Sequence, residues 1–131
     1  MSSHPLRIAV AGASGRMGRM LIEAIAASGD CQLTAALDQP QSPSLGQDAA
    51  AFLGQSSGVA IESDLHSALA KADFLIDFTR PEGTLAHLQV CAELGVKVVI
   101  GTTGFDDAGK QAIQDASKEI AIVFAANFSV G

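Results

Sequence analysis

The chain has 131 residues, 48% of them hydrophobic, and its 14 acidic against 8 basic residues leave a formal net charge of −6. That length is enough for one domain with a core of its own. The acidic balance argues against general affinity for nucleic acid or an anionic membrane surface, and no apolar run approaches the roughly 18 residues of a membrane span.

The start, MSSHPLRIAV, lacks the charged head and long apolar stretch of a signal peptide. Residues 6–11, LRIAVA, are a short apolar run and read as a buried strand. Met17, Met20, Leu21, Ala24 and Ile25 then recur at helical spacing, and this helix is expected to end at Gly29. Between strand and helix stand Gly12, Gly15 and Gly18. A glycine inside a helix costs about 1 kcal/mol relative to alanine, so each calls for a compensating role. Gly12 suits the tight turn off the strand, Gly15 the approach of a diphosphate to the backbone, and Gly18 close packing of helix on strand. The helix N-terminus offers free N–H groups and partial positive charge to an anion, and Arg16 adds a full charge there. The spacing, G-x-x-G-x-x-G, is one residue longer in its first half than the usual dinucleotide fingerprint.

CQLTAAL, 31–37, reads as a second strand, and Asp38 follows it directly. An acid at the end of the second strand, about 20 residues beyond the glycines, is placed to accept hydrogen bonds from ribose hydroxyls. Residues 38–57 are rich in Pro, Ser, Gly and Gln and read as a loop with a short helix around Asp48 to Leu53. A weak strand at 59–63 and a short helix at 64–72 come next.

DFLIDFT, 73–79, is a fourth, strongly apolar strand. Asp77 is out of place in it, and either reaches backbone N–H groups at the strand end or faces a ligand crevice. Thr79-Arg80-Pro81-Glu82 fits a capping box with Thr79 as N-cap. The helix it opens runs to about Leu94 and stops at Gly95. VKVVIGTTG is a fifth strand ending in a glycine-bounded loop; a helix covers about 106–118; IAIVFAAN is a sixth strand.

Alternating strands and helices predict an α/β, Rossmann-like doubly wound parallel sheet of about six strands with helices on both faces. Ligands of such sheets bind beyond the carboxyl ends of the strands. Thr79 in FTRPEG, Gly101, Thr102 and Thr103 in GTTGF, and Ala125 to Phe128 in AANF all fall there.

Other patterns carry less. GFDDAGK, 104–110, matches a P-loop start, but Gln111 stands where the magnesium-ligating hydroxyl belongs, and Asp106 and Asp107 would repel phosphate. Asp64, Asp73, Asp106 and Asp107 read as caps and solvated residues. His4, His66 and His87 form no hydrolytic or metal pattern and are given no chemistry. Cys31 and Cys91 suggest reduced thiols rather than a disulfide or zinc site, so no metal is expected and a cytoplasmic location is.

Four segments in order, VAGASGRMGRMLI, IDFTRPEGT, VIGTTGF and FAANFSVG, closely resemble the 4-hydroxy-tetrahydrodipicolinate (dihydrodipicolinate) reductase family of lysine and diaminopimelate synthesis. The similarity spans nearly the whole chain and is weakest from Gln39 to Gly58. It implies a nicotinamide-dependent reductase acting on a cyclic imine or enamine. Gly12, Ala13, Ser14, Gly15, Arg16 and Met17 would lie on the diphosphate and Asp38 on the adenosine ribose. Gly101, Thr102 and Thr103 would stand near the nicotinamide, Ala125, Ala126, Asn127 and Phe128 would close the cleft, and Thr103 would also touch substrate.

Two departures from the family follow. Its members continue past NFSVG into a substrate-binding, tetramer-forming domain that carries the catalytic His and Lys. Residues 1–131 therefore look like the dinucleotide-binding domain alone, expected to bind cofactor without turnover and to hold no catalytic residue. Many members also place an arginine after the acid, where it can pair with a 2′-phosphate. Here Gln39 follows Asp38, no Lys or Arg occurs between 38 and 70, and NADH is expected to be preferred to NADPH. The rival readings are another Rossmann oxidoreductase domain and a non-catalytic nucleotide-binding module.

Overall fold

The structure, a computed structural model, describes residues 5–101 and 104–124. Six parallel strands form one sheet: β1 (Leu6–Ala11), β2 (Cys31–Leu37), β3 (Ile61–Glu62), β4 (Phe74–Asp77), β5 (Lys97–Ile100) and β6 (Ile122–Phe124). Their spatial order is β3-β2-β1-β4-β5-β6, so the chain starts at the centre, winds outward to one edge, then crosses back and winds to the other. Four helices make the crossovers: α1 (Arg16–Ala27), α2 (Leu65–Leu69), α3 (Pro81–Leu94) and α4 (Asp107–Ala116).

The period-2 alternation of β1 sorts the core into two layers. Ile8 and Val10 face Ile22 and Ile25 of α1, with Ala36, Ala49 and Ile61 in the same cluster. Ala9 and Ala11 face the other way, toward Leu69 of α2, Leu88 and Cys91 of α3, and Ile113 of α4. Helices thus cover both faces, as the alternating elements predict. Small alanines in β1 and β2 let the helices settle close to the sheet, and Leu75 and Ile100 are fully buried there. Truncating such a residue to alanine costs about 2–5 kcal/mol.

Three local expectations are corrected. Met17 and Met20 do not face the core: they are exposed, and the buried stripe of α1 is Gly18, Ile22 and Ile25. Thr79 is not the N-cap of α3. Arg80 holds that position without a side-chain cap, Pro81 is the first helical residue, and the Thr79 hydroxyl donates to Asp77 instead. The helix starts one residue later than the capping-box spacing requires: Pro81 opens it and Arg80 takes the extended N-cap conformation, so the Thr79 oxygen lies outside the cap position. The helix within 48–53 shrinks to a single 3-10 turn, Ala51–Leu53. Its loop is organised by Asp48, which accepts hydrogen bonds from the N–H groups of Ala50, Ser57 and Gly58 and from the Ser57 hydroxyl. Those donors hold the Asp48 carboxyl down at about 2.

Other terminators stand where expected. Gly95 closes α3 in the left-handed region at φ 74°. Asp64 and Asp106 cap α2 and α4, accepting from Ser67 N–H at 3.1 Å and Gly109 N–H at 2.8 Å. Asp73 pairs with the exposed Arg7 guanidinium at 2.9 Å.

Candidate functional site

The ends of the four central strands are level. Ala11 stands opposite both Leu37 and Asp77, and Asp77 stands opposite Ile100. The next residues, Gly12, Asp38, Phe78 and Gly101, therefore emerge side by side at one edge of the sheet. A cleft of about 800 Å³ opens there, lined by Gly12, Ser14 to Gly18, Asp38, Thr79, Arg80, Glu82, Gly83 and His87 among others. A second groove, between α3 and α4 on the flank, holds none of the expected site residues.

The glycine loop is shaped by two steric demands. Gly12 has φ +74°, a conformation most side chains avoid. At Gly18 a Cβ would lie 2.0 Å from the Gly12 carbonyl oxygen. The first turn of α1 thus sits directly on the turn leaving β1, as Gly18 was expected to permit. Gly15 is the N-cap of α1 and contributes no side-chain cap, and no acidic residue stands in the first turn. α3, the other helix whose first turn lines the cleft, also lacks a side-chain cap. The amide donors opening both helices remain for a ligand, in the partial positive potential of the helix ends. Arg16 and Arg80 stand exposed beside them.

Asp38 is tied to this loop. Its carboxylate accepts from the hydroxyls of Ser14 and Ser42, the latter at 3.0 Å, and from Gln39 N–H at 3.0 Å. Ser14 thereby fixes the acid that ends β2 against the turn that ends β1. Ala13 is buried beneath the loop and donates its N–H to Leu37 O at 2.9 Å. Met17 and Thr79 line the cleft. Gly101 stands one strand further: a Cβ there would fall 1.9 Å from the Phe78 ring, so the glycine makes room for that ring. Thr102, Thr103, Ala125, Ala126, Asn127 and Phe128 lie outside the described residues.

The β4–α3 side holds what the sequence reading passed over. Asp77 is fully buried. One oxygen accepts from Thr79 N–H at 2.9 Å and from the Thr79 hydroxyl at 2.6 Å; the other is 2.6 Å from His87 Nδ1. Burial pushes the Asp77 carboxyl up, but the hydrogen bond and positive charge of His87, with the two Thr79 donors, outweigh it and hold the carboxyl below the ordinary range. Of the two sequence alternatives for Asp77 the first holds: it takes a backbone N–H at the strand end, and it does not line the cleft but binds His87, which does. His87, given no chemistry from the sequence, has a side chain only 14% exposed. The signal was available in the helix: Thr84, Leu88 and Cys91 recur at the sheet-facing spacing, and His87 lies on that stripe. Near the same cluster, burial and the charge of Asp77 push the Cys91 thiol up to about 12. His66, the other helical histidine, is exposed but pairs with Glu93 at 3.0 Å. Among the described residues no group of three or more His, Cys, Asp or Glu side chains is arranged to hold a metal ion.

The glycine loop, the acid after β2 and the parallel sheet together predict relatives among dinucleotide-binding reductases. The family model for the N-terminus of dihydrodipicolinate reductase matches residues 6–128. The chain belongs to this family. A 4-hydroxy-tetrahydrodipicolinate reductase from Cupriavidus pinatubonensis is 68% identical over 126 residues, 96% of this chain and 48% of that protein. One from Herminiimonas arsenicoxydans is 66% identical over 96% of this chain and 47% of its own length. The chain thus spans about half the length of these relatives. Among solved structures, dipicolinate-bound dihydrodipicolinate reductase from Paenisporosarcina sp. TG-14 superposes with a TM-score of 0.74 at 26% identity, covering 97% of this chain and 49% of that one. Likeness at 21% identity and TM-score 0.74 to GenD2, solved in complex with NAD, shows the shared fold. Among the described residues no helix is long and apolar enough to cross a membrane.

Proposed function

We propose that residues 1–131 are the dinucleotide-binding domain of a nicotinamide-dependent 4-hydroxy-tetrahydrodipicolinate reductase in lysine and diaminopimelate synthesis. The observation that carries this reading is the coupling of Gly12–Gly18 to Asp38 through Ser14, at the mouth of a cleft beyond the strand ends. The residues fit the cofactor. The amides opening α1 and the Arg16 charge suit the diphosphate, and the Asp38 carboxylate suits the adenosine ribose hydroxyls. Gly101, Thr102 and Thr103 belong toward the nicotinamide, with Ala125, Ala126, Asn127 and Phe128 closing the cleft, and Thr79 is a further cofactor-binding residue. The bound nicotinamide supplies hydride to a cyclic imine or enamine substrate; these residues place it and exclude water.

Catalytic groups and the tetramer interface belong, in this reading, to the half of the relatives that the chain does not span. The domain alone therefore binds cofactor without turnover. NADH is preferred to NADPH, because a 2′-phosphate would meet the Asp38 charge with no Lys or Arg in residues 39–70 to offset it. The two unpaired thiols, Cys31 and Cys91, suit a cytoplasmic location.

Calorimetric titration tests the reading. NADH is expected to bind, NADPH more weakly, and Asp38→Ala to reduce NADH affinity about tenfold by removing charge-assisted hydrogen bonds. Absence of NADH binding overturns the reading; equal or tighter NADPH binding overturns the preference alone.

A further inference from the structure

We propose that His87 binds a phosphate oxygen of the dinucleotide, and that Asp77 is the residue that positions it. This rests on the dinucleotide-binding reading above and adds a contact from the opposite wall of the cleft to those of the glycine loop.

The geometry assigns the two ring nitrogens different tasks. Nδ1 is 2.6 Å from Asp77 Oδ2. An ionised carboxylate only accepts, so Nδ1 carries the hydrogen and the tautomer and ring orientation are set. Nε2 makes no hydrogen bond among the described residues, and His87 lines the cleft together with Gly12, Arg16 and Arg80. Asp77 itself is held from its other oxygen by Thr79. Thr79 in turn packs against the glycine loop, its methyl carbon 3.2 Å from where a Gly12 Cβ would lie. A ring braced in this way at the mouth of a helix-end pocket does more than fill space. Protonated, it donates from Nε2 into a cleft where two uncapped helix starts, Arg16 and Arg80 attract an anion and Asp38 and Glu82 oppose it.

The charged and titratable groups around His87 come from each wall. β4 supplies Asp77; α3 supplies Arg80, Glu82 and, one turn on, the buried Cys91 thiol; the glycine loop and α1 supply Arg16; and Asp38 follows β2. Among these residue types, histidine is the one that commonly gains or loses a proton near neutral pH. A phosphate contact that needs the proton on Nε2 therefore weakens as pH rises.

The test is fluorescence titration of the full 131-residue chain with NADH, and calorimetric titration with ADP-ribose, from about pH 6 to 8.5. Circular dichroism confirms the fold of each variant. His87→Ala is expected to weaken both ligands about tenfold at the acid end, the size of one charge-assisted hydrogen bond. His87→Gln keeps a donor without a titrating charge; it recovers part of the affinity and flattens the pH profile, which a structural role would not do. Asp77→Asn keeps the neighbour but removes its charge, and moves the pH-dependent fall to lower pH. The inference is overturned if folded His87→Ala and His87→Gln retain the parent affinity and profile. It is overturned equally if NADH weakens while ADP-ribose does not, since the contact then lies on the nicotinamide half. If the parent chain binds no NADH, the dinucleotide reading has failed and this inference goes with it.

Discussion

Two strand-to-helix crossings meet at the cleft, and they are built on opposite plans. Between β1 and α1 the work is done by main chain: Gly12 turns at positive φ, and Gly18 lets the helix start rest on the Gly12 carbonyl. Between β4 and α3 it is done by side chains: buried Asp77 gathers Thr79 and His87. Both leave the helix start uncapped, whereas α2 and α4 are capped by Asp64 and Asp106. A helix end can thus be kept ready for a ligand either by removing side chains or by committing them elsewhere. The first plan resists any added atom; the second depends on charge and so on pH.

Substitutions can separate the two. The largest effect is expected from Gly18→Ala, whose Cβ would sit 2.0 Å from main chain that cannot swing aside. A loss of about 3 kcal/mol by thermal or urea denaturation is expected. Gly29→Ala is the control: a Cβ there meets nothing within 4 Å, and stability should stay within about 0.5 kcal/mol. A Gly18→Ala chain as stable as its parent would remove the main-chain half of the contrast.

Asp77→Ala should come next, at about 2–3 kcal/mol, because it strands the Thr79 donors and the His87 ring in a largely buried place. Its acid signature sharpens the contrast. The folded Asp77 carboxyl titrates below its unfolded value of about 3.9, so its contribution is present above that pH and is lost as pH falls through the folded value. Melting curves at pH 5 and pH 3 should therefore diverge less in Asp77→Asn than in the parent. Identical divergence would show that the β4–α3 crossing does not depend on this charge.

Ser14→Ala removes a hydroxyl bonded to Asp38 and should cost about 1 kcal/mol. The smallest effect runs the other way. Thr34 has a buried hydroxyl with no hydrogen-bond partner among the described residues, at the register shift between β1 and β2. Thr34→Val is expected to gain about 1 kcal/mol, and any loss would show that the hydroxyl is satisfied.

The contrast also explains what the sequence revealed. Main-chain constraints leave residue-type marks, so Gly12, Gly18 and Gly95 could be placed from letters alone. Short apolar runs likewise located the strands, 3.6 spacing the helices, and their alternation the parallel sheet. Spacing failed in α1, where Met17 and Met20 looked like core but stand outside the Gly18–Ile22–Ile25 stripe. A glycine contributes nothing to an apolar count, although here it marks the most tightly packed point of the helix. The Asp77–His87 pair was illegible for a different reason. Its members are ten positions apart on a strand and a helix, and only the packing of α3 over β4 brings them to 2.6 Å. Thr79 carried a plausible local role, capping, but the helix begins one residue later, with Arg80 at the N-cap, and leaves the Thr79 hydroxyl to Asp77.

The chain also carries its own reporter of sheet opening. Cys31 is half-buried at the start of β2, whereas Cys91 is sealed beneath α3 with its thiol pushed up to about 12. An alkylating reagent at neutral pH should modify the first while the fold is intact and reach the second only when α3 lifts from the strands. The rate at which a second label arrives would then time that opening, with no introduced probe.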